Sequence, residues 1–225
     1  MRLIFVRHGE PNYEKDCLTD LGRLQASAAG RRLKEDNIDF LCSSPMGRAV
    51  ETAQLAAEAL KMDSIDILPF MHEIYWGDKN GKEMFAGGNP WDIANELMER
   101  GEDICTADWE NLPMFDQNIV GGYVWDVSVG IDEWLREYGY IRQDGYYICS
   151  NPRFADSTIA LFCHGGSGTA AICHLLNLPF SQGCALLHMP FTGITILRFD
   201  NRPGILSMPS LELACDGRHI SGVTL

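Results

Sequence analysis

Residues 3–6 of this chain read Leu-Ile-Phe-Val, apolar without interruption, and residues 159–163 read Ile-Ala-Leu-Phe-Cys. A strand with one wet face alternates apolar and polar residues; an unbroken apolar strand must be covered on both faces. Between these runs come segments with helical spacing. "LTDLGRLQASAAGRRLKED" opens on Thr19 as a capping residue and places Leu21, Leu24, Ala28 and Leu33 on one side. "MGRAVETAQLAAEALKM" sets Ala49, Ala53, Ala56 and Leu60 in register. "IDFLCSSP" and "GITILRF" read as further strands, 65–74 as an extended run, and "SGTAAICHLLNL" as a helix capped by Ser167. Apolar strands alternating with helices predict a three-layer α/β/α fold around a mostly parallel central sheet.

Residues 74–158 break that rhythm. They hold Trp76, Trp91, Trp109, Trp125 and Trp134, and their acidic residues outnumber the basic ones by 16 to six. Two amphipathic helices are expected, in "NPWDIANELMERG" and in "GYVWDVSVGIDEWLREYG". Asp-Gly between the β-rich arms of "YIRQDGYYIC" signals a hairpin. The segment is read as a cap inserted into a single domain spanning 1–225.

The formal charge of −13 argues against nucleic acid or an anionic membrane as the main partner. The short N-terminal apolar run leads straight into charge, unlike a secretory signal, and no stretch has the length to span a bilayer. The eight cysteines include no CxxC pair, and several lie in apolar runs, as expected for buried free thiols of a cytoplasmic protein. Cys163, Cys173 and His174 could supply zinc ligands by type, but their spacing matches no usual pattern.

In open α/β sheets ligands bind beyond the carboxyl ends of the strands. The first strand delivers Arg7-His8-Gly9 there and the second Ser43-Ser44-Pro45, with Arg48 in the next helical turn. The 65–74 run arrives at His72-Glu73, and the last parallel strand at His164-Gly165-Gly166. Two arginines, two histidines and a carboxylate converge on one edge. An arginine and a histidine ending a buried strand call for an anion to receive them.

The motifs "RHGE", "LTDLGRLQA", "CSSPMGRAVETA", "HEIYWGDKNGKE" and "FCHGG" resemble, in this order, those of the histidine phosphatase superfamily, with its phosphoglycerate mutase-like fold. The resemblance covers the α/β core, about two thirds of the chain, and leaves most of the cap unassigned. It implies a metal-independent phosphatase that needs no cofactor and acts on a small phosphomonoester. His8 would be the nucleophile, its second ring nitrogen held by an acceptor, forming a phosphohistidine. Arg7, Arg48 and a protonated His164 would bind the phosphoryl oxygens. Glu73 would be the proton donor and then the base, with a raised pKa. His72 alternates with Glu73 and is read as structural, as is His174 on a packed helix face. A phosphate-binding asparagine follows the nucleophile in some relatives, but Asn12 comes early for it and position 14 is Glu. A phosphoglycerate-type mutase and a non-catalytic phosphate-binding scaffold are the alternatives. The scarcity of cations in 74–158 disfavours the mutase, which must hold a second anionic group.

Overall fold

The computed structural model describes residues 1–154 and 156–224. The chain opens with β1 (Arg2–Arg7), a ribbon of β2 (Pro11–Asn12) and β3 (Cys17–Leu18), and helix α1 (Asp20–Leu33). Next come β4 (Phe40–Ser43), α2 (Gly47–Leu60) and the short β5 (Asp66–Ile67). Helices α3 (Pro90–Glu99) and α4 (Val120–Glu137) precede the hairpin of β6 (Tyr140–Gln143) and β7 (Tyr146–Cys149). Then follow β8 (Thr158–Cys163), α5 (Gly165–Leu175), α6 (Phe180–Leu186), β9 (Ile194–Arg198), β10 (Leu206–Ser207) and β11 (Ser210–Asp216).

The main sheet has the order β11-β9-β1-β8-β4-β5. β8 runs parallel to both β1 and β4, and β5 continues parallel to β4, whereas β9 is antiparallel to β1 and to β11. Helices cover both faces, as the unbroken apolar strands require. Because side chains alternate along a strand, Leu3 and Phe5 enter one core with Leu161, α3, α4 and α5. Ile4 and Val6 enter the other, with Phe162, Ala29 and Leu33 of α1, and Ala53 and Ala56 of α2. Each such fully buried Leu, Ile or Phe contributes about 1.5–3 kcal/mol. Thr19 caps α1 by accepting the Gly22 N–H at 3.0 Å. Small residues let α1 and α2 approach: a Cβ on Gly30 would lie 2.7 Å from the Ala56 Cα.

Two details differ from the sequence reading. Only Asp66 and Ile67 of the 65–74 run pair with β4, because Pro69 opens a 3₁₀ turn over Pro69–Met71. Proline has no N–H for the ladder, and its fixed φ suits the first position of a helical turn. Ser167 does not cap α5, which starts at Gly165 with His164 as its N-cap. The buried Ser167 hydroxyl instead donates to the Met71 carbonyl at 3.1 Å, tying α5 to the segment that carries Glu73. Within 74–158, Ile93, Leu97, Val124, Val127, Ile131 and Leu135 share a core with the sheet. The β6–β7 turn has both Asp144 and Gly145 at positive φ, as an Asp-Gly hairpin demands. Among the described residues, no helix is long and apolar enough to cross a membrane.

Candidate active site

The parallel ladders run past the strand ends and set the site's register. The His8 N–H donates to the Cys163 carbonyl and the Ser44 N–H to the Phe162 carbonyl, both at 2.9 Å. These bonds bring His8, His164 and Ser44 side by side. The His8 and His164 rings meet edge-on with centroids 5.1 Å apart. His8 is fully buried and Gly9 is obligatory beside it, since a Cβ there would lie 2.5 Å from the Gly22 carbonyl oxygen.

Hydrogen bonds fix the tautomer of His8. Its Nε2 accepts from Arg48 Nε at 3.3 Å, so the ring proton sits on Nδ1 and is donated to the Gly9 carbonyl at 2.7 Å. Burial, aided by the charges of Arg7 and Arg48 and opposed by the Gly9 carbonyl, pulls the imidazole pKa down to about 3. His8 is therefore neutral, with the lone pair of Nε2 directed at Arg48. Arg48 is itself buried and pairs with Asp16 Oδ1 at 2.5 Å, while Asp16 Oδ2 accepts the Gly47 N–H at the start of α2.

Arg7 lies 4.4 Å over the Phe191 ring and donates through Nη1 to the Met189 carbonyl at 2.6 Å. His164 is fully buried, with Nε2 2.7 Å from Ser44 Oγ. Burial first, then the surrounding histidine and arginines, hold His164 well below the ordinary histidine value. Arg7 Nε and His164 Nδ1 are buried without a hydrogen-bond partner among the described residues.

Glu73 reaches the site from another direction. Its Oε1 accepts the N–H groups of Ile74, Gly166 and Ser167 at 3.0, 3.1 and 3.0 Å, so the carboxyl rests on the first turn of α5. A Cβ at Gly166 would come within 2.6 Å of that oxygen. Burial raises the Glu73 pKa, against the three N–H bonds that favour the carboxylate. The structure therefore gathers Arg7, His8, Arg48, Glu73 and His164. A recess of about 500 Å³ opens beside them, lined by Arg7, Glu73, Tyr13, Trp76, Trp91 and His188 among others.

The other polar residues near the motifs are engaged in bonds of their own. Asn12 Oδ1 accepts the Lys15 N–H in the β2–β3 turn, and Glu10 Oε1 accepts from the Thr19 hydroxyl. His72 bonds the Glu73 carbonyl through Nδ1 and stacks near Tyr75. His174 bonds Asp132 at 2.8 Å, within a network that includes Tyr147 and Arg142, and is not gathered with Cys163. Among the described residues, no group of three His, Cys, Asp or Glu is placed to hold a metal ion.

The sequence pattern of the histidine phosphatase superfamily (branch 1) matches residues 3–109, which include His8, Arg48 and Glu73. Over that segment the chain is similar to the histidine phosphatase superfamily. A 2,3-bisphosphoglycerate-dependent phosphoglycerate mutase of Bartonella henselae is 33% identical over 124 residues, 49% of this chain. A mannitol-1-phosphatase of Eimeria tenella is 34% identical over 85 residues, 35% of this chain. The matches span 60% of the mutase and 28% of the phosphatase. A phosphoserine phosphatase structure from Entamoeba histolytica, in complex with phosphoserine, shares the fold with a TM-score of 0.63 at 21% identity, over 97% of this chain and 98% of that one.

Beyond the superfamily motifs, the sequence reading missed Asp16 and the loop before β9. That loop supplies Met189 and Phe191 to Arg7, and its Thr192 N–H donates to the His8 carbonyl at 3.2 Å. The available signal was topological: a strand antiparallel to β1 must be entered from the edge where β1 ends.

The buried imidazoles make stability depend on pH. Burial, the largest cause in each case, lowers the pKa of His8, His164 and His219 in the fold, whereas the unfolded chain returns them to about 6.5. On acidification the unfolded state binds protons that the native state refuses, so their contribution is complete above about 6.5. It is then lost as the pH falls toward about 3, where His8 protonates in the fold. Glu73, raised in the fold, works in the opposite sense. We expect the urea midpoint of the ligand-free protein to fall between pH 7 and 4, and to fall less steeply in His8→Asn. Equal slopes for the two proteins would show that His8 does not contribute.

Proposed function

We propose that this chain hydrolyses phosphomonoesters through a phosphohistidine on His8. The observation that carries the reading is the pair of buried, unpartnered nitrogens, Arg7 Nε and His164 Nδ1, flanking a neutral histidine whose lone pair faces Arg48. A phosphoryl group supplies oxygen acceptors for the Arg7 and His164 nitrogens and an electrophilic phosphorus for the His8 lone pair. Arg48 Nε moves from His8 Nε2 onto a phosphoryl oxygen, releasing the lone pair to attack phosphorus. The P–O ester bond breaks, and Glu73, whose pKa burial raises, gives its proton to the departing oxygen. Glu73 carboxylate then takes a proton from water. The water oxygen bonds to phosphorus, the P–N bond breaks, and its electron pair returns to Nε2. The phosphate dianion favours a charged His164, which adds to the two guanidiniums in stabilising the transferred group.

A labelled monoester quenched within one turnover, with EDTA present, should leave an acid-labile, base-stable phosphate on the protein. Acid-stable label, or turnover that disappears with EDTA and returns with magnesium, would overturn the reading.

The mutase reading has the Bartonella relative in its favour. A mutase must grip two anionic groups, and the recess beside His8 offers Arg7 and His188 as its basic lining among the described residues. Hydrolysis is the better fit to that lining. Interconversion of 2- and 3-phosphoglycerate, followed by NMR, distinguishes the two.

A further inference from the structure

The recess beside the phosphoryl site has a lining of its own. It shares Arg7 and Glu73 with that site, so a phosphomonoester seated on His8 extends its alcohol into this space. The wall there is aromatic. Trp76 and Trp91 meet edge to face, with ring centroids 5.9 Å apart and planes at 78°, and Tyr13 is a further lining residue.

Two of these rings are held by polar contacts. Asn89 Oδ1 accepts the Trp91 and Asp92 N–H groups at 3.0 and 3.3 Å, capping α3 and fixing the start of the helix that carries Trp91. The Arg48 guanidinium lies 5.4 Å over the Tyr13 ring. Trp76 remains 37% exposed, so indole surface is open to a ligand. Among the described residues no lysine lines the recess, and its one arginine is Arg7, already assigned to phosphate. A carboxylate or second phosphate on the substrate would face Glu73 and indole rings, with the imidazole of His188 as its one further basic neighbour among the described lining residues.

We infer that this recess selects phosphomonoesters whose alcohol is uncharged and presents a C–H or ring face to Trp76 and Trp91, over esters carrying a second anionic group. The inference rests on the hydrolase reading and adds the substrate class to it. Ring contacts of this kind are worth about 0.5–1.5 kcal/mol beyond burial, or about 2- to 12-fold in affinity.

The test compares kcat/KM for benzyl phosphate and a hexose 6-phosphate with that for phosphoserine and 3-phosphoglycerate. All four are esters of aliphatic alcohols, so leaving-group chemistry is held nearly constant. We expect the uncharged pair to be preferred by about tenfold or more, and Trp91→Ala to narrow that gap. A preference for the carboxylated pair, with hydrolysis intact, would overturn the inference and leave the hydrolase reading standing. Absence of turnover on all four would overturn the hydrolase reading instead. Should Trp91→Ala not fold, the wild-type protein still decides. Tryptophan fluorescence should report tighter binding of benzylphosphonate than of phosphonoacetate, and the reverse order would count against the inference.

Discussion

His8→Ala is expected to lower turnover of every phosphomonoester substrate by about 10⁴-fold or more, the scale seen when a catalytic nucleophile is removed. His8 is the one ring in the site whose proton is assigned to Nδ1 by a bond at each nitrogen. No neighbour can replace it. His164 is oriented by Ser44, and the Ser43 hydroxyl is turned to the Ser44 carbonyl. The same variant should form no acid-labile adduct in the quench experiment. It removes a buried imidazole, so the control is an unchanged far-ultraviolet spectrum with a cooperative unfolding transition. A folded His8→Ala that keeps activity within tenfold of wild type would mean that phosphorus is attacked by something else.

Glu73→Gln should separate substrates by leaving group. Glutamine keeps an oxygen that can accept the Ile74, Gly166 and Ser167 N–H groups, so the seat on α5 is preserved while the proton is lost. For alkyl esters, whose alkoxide departs badly, kcat is expected to drop by roughly 10²–10⁴-fold, the usual worth of a positioned general acid. For p-nitrophenyl phosphate, which leaves as a stable anion, the drop should be much smaller. Equal losses would give Glu73 a structural role in place of a proton-transfer one.

How far the sequence foretold this arrangement depended on how local each signal was. The unbroken apolar runs implied a covered sheet, and the Arg-His and His-Gly pairs at their ends marked where chemistry would gather. Thr19 and Asp144-Gly145 carried their turn chemistry in their own side chains and backbone preferences. The path of 65–74 was misread because an apolar run says nothing of where its ladder stops; Pro69 was the clue. Ser167 was misplaced for a similar reason, since a helix cap and a buried helical serine look alike in one dimension. Asp16 and Met189–Phe191 were invisible because their roles arise from pairings across the fold, between segments far apart in the chain.

The strand order also bears on how the protein comes into being. β1 and β4 do not touch; β8 lies between them and pairs with both. Residues 3–109, recognisable on their own by sequence, therefore hold β1 with no partner, and β4 paired only with the two-residue β5, until the ribosome has added residues 158–163. The loop that steadies Arg7 comes later still, just ahead of β9. Closing contacts across so much chain is slow, and unpaired apolar strands invite association while they wait. Early translation thus leaves the nascent protein exposed, and a gene truncated after the recognisable segment should yield aggregate in place of a smaller enzyme.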